Sequence, residues 1–175
     1  MSDRPRLVVR IALFAALIYV LSWGTSYLPN VNFIFFIVFS AGLLWGVVPG
    51  MLVGAIGMGL WTLFNPYGPA PVPIMIAQVV GATAGGIVGA LFRAGEWQRR
   101  SKRILTFHLL IAATLCTLLF YLPVNTVDAV LFQPFWPRFV TGALWGMISL
   151  AFNLVIFPLL FTATRYLYPR ENALL

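Results

Sequence analysis

Acidic side chains are scarce in this sequence. Its 175 residues hold four Asp and Glu residues against eleven Lys and Arg residues, with one histidine. The acids, Asp3, Glu96, Asp128 and Glu171, are far apart, and no two of them face each other within an apolar segment. A metal site or acid–base chemistry is therefore hard to build. A proton- or sodium-coupled pump is also disfavoured, because such a pump needs an acid at membrane depth.

Other absences narrow the possible classes further. The single cysteine, Cys116, excludes an internal disulfide and any cysteine-rich metal site. Neither G-x-S-x-G nor G-x-x-x-x-G-K-[ST] occurs, so hydrolysis of ATP by this chain is not expected. Charged residues make up 9% of the chain and apolar residues 61%, whereas soluble domains carry about 25% charged residues. We therefore predict one transmembrane domain covering residues 1–175.

Apolar runs predict an all-α protein with six transmembrane helices, since a spanning helix needs about 20 mainly apolar residues. The run over residues 31–64 would be about 50 Å long as one helix, which is too long for the bilayer core. We divide it at Pro49-Gly50. No small-residue cleavage site follows residues 1–21, so this stretch is kept as a mature helix and not a signal peptide. The predicted helices are 7–27, 31–48, 51–64, 72–92, 104–122 and 139–167.

The basic residues predict the orientation of these helices. With both termini in the cytoplasm, ten of the eleven Lys and Arg residues lie inside and only Arg138 lies outside. Cytoplasmic loops are rich in Lys and Arg, which also explains the net charge of +7 without nucleic acid. Joining the second and third helices would place the basic cluster at 98–103 outside, so the division is kept. The outer face then consists of loops 26–32, 65–71 and 123–137.

Polar side chains at membrane depth are the first candidates for function, because burying them without a partner is costly. Gln78 lies about 10 Å into the fourth helix and suits either a ligand contact or a helix–helix hydrogen bond. Trp145 suits either a ligand contact or core packing. Asn153 lies deeper on the same face of the sixth helix as Trp145.

The outer loops supply further candidates. Tyr67 and Trp136 lie in loops that could fold over a cavity and stack on a flat ligand. Asp128 and Arg138 are the charges of this face, and they either bind a ligand or pair with each other. One acid, one base and several aromatic residues favour a neutral or zwitterionic ligand with a planar ring.

Small residues recur at four-residue spacing, as in Ala12-x-x-x-Ala16 and in the glycine sets 46, 50, 54 and 81, 85, 89. Such spacing lets helices approach closely in lipid. Internal packing is the favoured interpretation of the glycine sets. The alanine pair lies near the cytoplasmic end of the first helix, where a partner could bind.

The length, the six predicted helices with both termini inside, Ala12-x-x-x-Ala16 and the polar outer face together resemble the S component of an energy-coupling factor (ECF) transporter. This is the membrane subunit that captures a vitamin or related micronutrient. The stretch WTLFNPYGPAP at 61–71 also resembles the outer turn between the third and fourth helices of some members.

The resemblance implies binding of a heterocyclic vitamin at the outer face, followed by toppling of the subunit in the cell membrane of a bacterium or archaeon. It makes Ala12 and Ala16 the docking residues for a transmembrane coupling subunit. Two cytoplasmic ATPases would use the ATP, and this chain would hold no cofactor. The implied substrate contacts are Asn65, Tyr67, Gln78, Asn125, Asp128, Trp136, Arg138 and Trp145.

Two alternatives remain open at this point. The first is a non-transporting membrane scaffold, similar to a bacterial rod-shape assembly protein. The second is a small membrane enzyme or an accessory subunit of one, against which the scarcity of catalytic residues counts.

Overall fold

The computed structural model describes residues 4–95 and 97–172, and this part of the chain forms six α-helices and a short 3-10 helix, Trp97–Arg99. The predicted all-α class and helix order are thus confirmed. By length and composition, five of the six helices in the described residues could cross a membrane, α2 being the shorter exception. The helices are α1 Arg4–Gly24, α2 Ile34–Trp45, α3 Val47–Phe64, α4 Val72–Ala94, α5 Lys102–Leu131 and α6 Phe135–Asn172.

The break between α2 and α3 lies at Gly46 and not at Pro49-Gly50, so the predicted ranges 31–48 and 51–64 are corrected. Gly46 has φ 97° and ψ −174°, a conformation that glycine adopts without steric penalty. Pro49 instead lies in the first turn of α3. A proline is tolerated there because first-turn N–H groups have no partner within the helix.

The predicted third outer loop, residues 123–137, is wrong. Helix α5 continues through Pro123 to Leu131, and α6 already begins at Phe135. A proline inside a membrane-spanning helix is tolerated when neighbouring groups satisfy the freed backbone. The apolar residues that follow Pro123 therefore extend α5, and only residues 132–134 connect it to α6.

Helix α2 forms the centre of the bundle. All twelve of its residues are buried, and it contacts each of the other five helices. At 1.5 Å per residue it is about 18 Å long, shorter than the hydrocarbon core of about 30 Å. A helix that is apolar on every side is stable only when it is enclosed. Helix α2 is therefore an internal axis around which the longer helices pack.

Close contacts between backbones hold α4 against α2 and α3. A Cβ atom added to Gly89 would overlap the carbonyl oxygen of Phe39, and one added to Gly42 would overlap Gly86. A Cβ atom on Gly50 of α3 would lie 2.9 Å from Gly86 Cα of α4. The packing role predicted for the glycine stripes is thus confirmed at Gly50 and Gly89.

Basic side chains gather at one end of the bundle, which we name the basic end. Helices α1, α3 and α5 begin there, and helices α2, α4 and α6 terminate there. Glu171 accepts hydrogen bonds from Arg10 Nε at 2.9 Å and from Trp45 Nε1 at 2.8 Å. Arg93 Nη1 donates to the Leu44 carbonyl oxygen at 2.9 Å. The helices alternate in direction as predicted, and the cytoplasmic location of this end stays a prediction.

Candidate functional site

A cavity of 390 Å³ opens at the other end of the bundle, which we name the cavity end. Helices α1 to α5 line it, together with the α1–α2 loop and the α3–α4 loop. In the described chain, α6 contributes no lining residue. The site is thus formed mainly by the first two thirds of the sequence, and the fully buried α2 supplies one wall through Ile34 and Phe35.

The polar lining consists of side-chain amides and hydroxyls. Gln78 joins α4 to α3, because Thr62 Oγ1 donates to Gln78 Oε1 at 2.6 Å. Gln78 therefore makes the helix–helix hydrogen bond foreseen as one alternative and also lines the cavity. With Oε1 engaged, the amide N–H groups are the donors that Gln78 can offer to a ligand. The other polar lining side chains are Ser22, Thr25, Ser26, Asn30, Asn32, Asn65, Tyr67 and Tyr121.

Aromatic rings form one wall of the cavity. Phe35 and Phe120 meet edge to face, with centroids 5.1 Å apart, and Phe120 and Tyr121 do so at 5.2 Å. Trp61 adds a fourth ring from α3. Aromatic rings can stack on a planar ligand or meet it edge to face. The lining thus combines an apolar wall with several fixed polar groups.

The α3–α4 loop is fastened across the mouth of the cavity. Asn65 Oδ1 accepts from the Tyr67 backbone N–H at 2.9 Å, and Asn65 Nδ2 donates to the Trp61 carbonyl oxygen at 3.1 Å. Tyr67 Oη then donates to the Ser26 carbonyl oxygen at 2.5 Å. This last bond, which we name the mouth clasp, ties the α3–α4 loop to the α1–α2 loop.

No charged side chain lines the cavity in the part of the chain that the structure describes. Asp128 and Arg138, the charged residues of the cavity end, form an ion pair with each other. Arg138 Nε lies 3.0 Å from Asp128 Oδ2, and Arg138 Nη2 lies 3.3 Å from Asp128 Oδ1. The Arg138 guanidinium also covers the Phe132 ring, 4.8 Å from its centroid. Asp128 and Arg138 thus form the ion pair foreseen as one alternative, and the cavity is electrically neutral.

The structure brings three of the eight predicted substrate contacts to the cavity: Asn65, Tyr67 and Gln78. Asn125 lines a second, smaller cavity of 210 Å³ between α5 and α6. Trp136 and Trp145 do not line the larger cavity and are 71% and 47% exposed. The predicted loop 123–137 is helical, which carries its residues toward the α5–α6 junction. A binding role for all eight residues stays a prediction.

Several lining residues are not predicted from the sequence. Asn30 and Asn32 lie in the first predicted outer loop, whose two amides close together were an available signal. Asn30 has φ 55°, which asparagine tolerates, and its Nδ2 donates to the Trp145 carbonyl oxygen at 2.7 Å. Phe35, Phe120 and Tyr121 carried no signal that separated them from ordinary core residues.

The predicted docking pair lies on the outside of the bundle. Ala12 and Ala16 are both exposed on α1, which packs on α2 and α3. Leu13 and Leu17 are also exposed, so this face of α1 is apolar and covered by no other helix of the described chain. The geometry leaves the alanines accessible, and their docking role stays a prediction.

Bundle and cavity together define a multi-pass membrane protein with a cavity of small-molecule size at one end. Residues 3–166 match the family described as "ECF-type riboflavin transporter, S component", and the chain belongs to this family. The resemblance inferred from the sequence is thereby confirmed, and the protein is a substrate-binding subunit of a membrane transporter. No curated protein and no solved structure gives a significant match. The scaffold alternative has no support.

Proposed function

We propose that this chain captures riboflavin in the 390 Å³ cavity as the S component of an ECF importer. The observation that carries the proposal is the family match over residues 3–166, combined with a cavity walled by rings and edged with amides. Riboflavin is a planar tricyclic ring with a pyrimidinedione edge and a polyol chain. Amide side chains offer the donors and acceptors that a pyrimidinedione edge requires.

The size and charge of the cavity support the same ligand. Sites for small molecules typically measure about 300–1,000 Å³ and are mostly apolar, with a few placed polar groups. The cavity lies near the lower end of this range. A phosphorylated flavin would bring charge to a lining in which the described residues supply no cation, and burying an unpaired charge is costly. The proposal therefore favours the uncharged vitamin over its phosphate ester.

The proposed transport cycle follows from the two ends of the bundle. The positive-inside rule puts the basic end in the cytoplasm, so the cavity end opens to the outside of the cell membrane. After capture, the subunit topples in the bilayer and releases the vitamin inside. The energy comes from ATP used by two ATPases on a transmembrane coupling subunit. The chain itself needs no cofactor for this cycle.

Helix α1 is the proposed docking surface for the coupling subunit. Ala12 and Ala16 are exposed one turn apart, and small residues at this spacing allow another helix to approach closely in lipid. Their position on the side of α1 leaves the cavity end untouched, so docking and capture use separate surfaces.

Titration of the purified protein with riboflavin tests the proposal, because flavin fluorescence changes when the ring becomes buried. We expect saturable binding of one riboflavin per chain and weaker binding of the phosphate ester. Mass spectrometry of compounds released from the freshly purified protein provides an independent measurement. A folded protein that neither binds added riboflavin nor releases a flavin would contradict the proposal.

A further inference from the structure

Two polar side chains of α6 are fully buried with unpartnered oxygen atoms. Ser149 and Asn153 are both 0% exposed, and neither Ser149 Oγ nor Asn153 Oδ1 has a hydrogen-bond partner among the described residues. Four residues apart, they lie on the same face of the helix. Because nearly all buried polar atoms in proteins are paired, two such atoms together require an explanation.

The neighbouring side chains do not supply the missing donor. Asn153 Nδ2 donates to Thr117 Oγ1 at 2.9 Å, which fixes the amide and leaves Oδ1 as its free acceptor. The Thr117 hydroxyl donates its own proton to the Ala113 carbonyl oxygen at 2.8 Å. Asn153 Oδ1 therefore needs a donor from outside this group.

Tyr121 connects this polar pair to the cavity. Its side chain lines the cavity, and its hydroxyl accepts from Asn32 Nδ2 at 3.4 Å. Ser149 Oγ also lies near the Tyr121 hydroxyl, but the two oxygen atoms do not meet the geometry of a hydrogen bond. The Tyr121 ring packs on Gly146, where an added Cβ atom would lie 3.2 Å from Cγ. One tyrosine side chain thus separates the cavity from Ser149.

We propose that Ser149 and Asn153 form a hydroxyl-binding subsite behind Tyr121. A hydroxyl group donates one hydrogen bond and accepts others, so it can donate to Asn153 Oδ1 and accept from Ser149 Oγ. Two sources supply this chemistry: an ordered water, or a hydroxyl of the ligand's polyol chain after the Tyr121 ring has moved. The second source rests on the proposed function, and the first does not.

The substitution Ser149→Ala tests the subsite because it removes only an unpartnered hydroxyl. The matched control is Ser40→Ala, at a buried serine whose hydroxyl pairs with Thr164 Oγ1 at 2.8 Å and lines neither cavity. Three quantities are measured for each variant: the unfolding temperature without ligand, the affinity for riboflavin and the affinity for lumiflavin. Lumiflavin keeps the ring but has a methyl group in place of the polyol.

The two sources give different results. If the polyol fills the subsite, Ser149→Ala weakens riboflavin binding about tenfold and leaves both lumiflavin binding and the ligand-free unfolding temperature at or above wild type. If water fills the subsite, Ser149→Ala lowers the ligand-free unfolding temperature and changes the affinities for riboflavin and lumiflavin by the same factor. The Ser40→Ala control lowers the unfolding temperature but leaves both affinities unchanged.

The subsite is refuted if Ser149→Ala keeps or raises the unfolding temperature and binds both flavins like the wild type, since removing a merely unpaired hydroxyl relieves a cost. If the wild type binds no riboflavin, the proposed function fails instead. The unfolding temperature then decides alone: a fall supports the water site, and no fall overturns the subsite.

Discussion

Amide side chains carry the polar chemistry of the cavity, and Gln78 is held there by the hydrogen bond that its Oε1 accepts from Thr62 Oγ1. We expect Gln78→Ala to weaken riboflavin binding about two- to twelvefold, because a hydrogen bond to a neutral ligand contributes about 0.5–1.5 kcal/mol. Calorimetry or fluorescence titration measures this loss.

Trp145→Ala is the comparison for Gln78→Ala, since both residues were predicted contacts but only Gln78 lines the cavity. The backbone carbonyl that accepts from Asn30 survives this substitution. We expect wild-type affinity for Trp145→Ala. An equal loss of riboflavin affinity in the two variants would mean that the ligand contacts α6.

The mouth clasp gives a second prediction at this scale. Tyr67→Phe removes the hydroxyl that donates to the Ser26 carbonyl oxygen but keeps the ring. We expect riboflavin to dissociate several-fold faster, because the two loops then separate more readily. Stopped-flow fluorescence measures the dissociation rate. Tyr27→Phe is the matched control, at a tyrosine of the α1–α2 loop that is 91% exposed. Equal rates in both variants would show that the clasp does not retain the ligand.

How far the sequence revealed the site depends on local structure. Asn65, Tyr67 and Gln78 were found because a proline- and glycine-rich turn and an amide at membrane depth are visible in sequence. The sequence places Asn125, Asp128 and Trp136 in a predicted loop because Pro123 and Pro137 favour loop ends. Neither proline breaks its helix. Pro123 lies inside α5, which packs on α4 and α6, and Pro137 lies in the first turn of α6, where its missing N–H would have no partner within the helix.

At the scale of the helices, glycine positions govern how closely the elements approach. Gly89→Ala forces a Cβ atom into the Phe39 carbonyl oxygen, and no flexible side chain is there to give way. We expect the unfolding temperature to fall markedly, since overpacking typically costs about 1–3 kcal/mol. Thermal unfolding in detergent measures the effect.

The control for Gly89→Ala is Gly59→Ala, because an added Cβ atom at Gly59 on α3 meets nothing within 4 Å. There the better helix propensity of alanine should stabilise the protein by up to about 1 kcal/mol. An unchanged unfolding temperature for Gly89→Ala would mean that α2 and α4 are not in close contact, and a similar fall for both variants would mean that this contact does not cause the loss.

The sequence predicted which helices exist better than where they end. Apolar runs and the basic clusters were sufficient for six helices and their alternating directions. They were insufficient to locate the break at Gly46, because Pro49 is the stronger sequence signal and yet fits the first turn of α3. That α2 is buried on all sides depends on packing that no single segment reveals.

At the scale of the whole molecule, capture and docking occupy different surfaces. We expect the double substitution Ala12→Leu with Ala16→Leu to leave riboflavin affinity unchanged and to abolish uptake by cells, because leucine prevents the close approach of another helix. Uptake of labelled riboflavin and co-purification of the coupling subunit measure this.

Val9→Leu with Val20→Leu provides the control for the alanine pair, since both valines are exposed on α1 and already bulky. This control should transport normally. Normal uptake by the alanine double variant would remove α1 as the docking surface, and lost riboflavin binding would mean that the fold itself had changed.

The enclosed position of α2 has a consequence for biogenesis. The residues that bond to this part of the chain are synthesised late, 115 to 126 residues further along the sequence. Ser40 and Trp45 of α2 bond to Thr164 and Glu171, and Asn30, which precedes α2, bonds to the Trp145 carbonyl oxygen. A nascent chain that contains only α1 to α5 therefore leaves the twelve-residue helix α2 without its contacts to α6. The ribosome must finish α6 before α2 can be enclosed on all sides, so we expect the native packing around α2 to form only after α6 has been made.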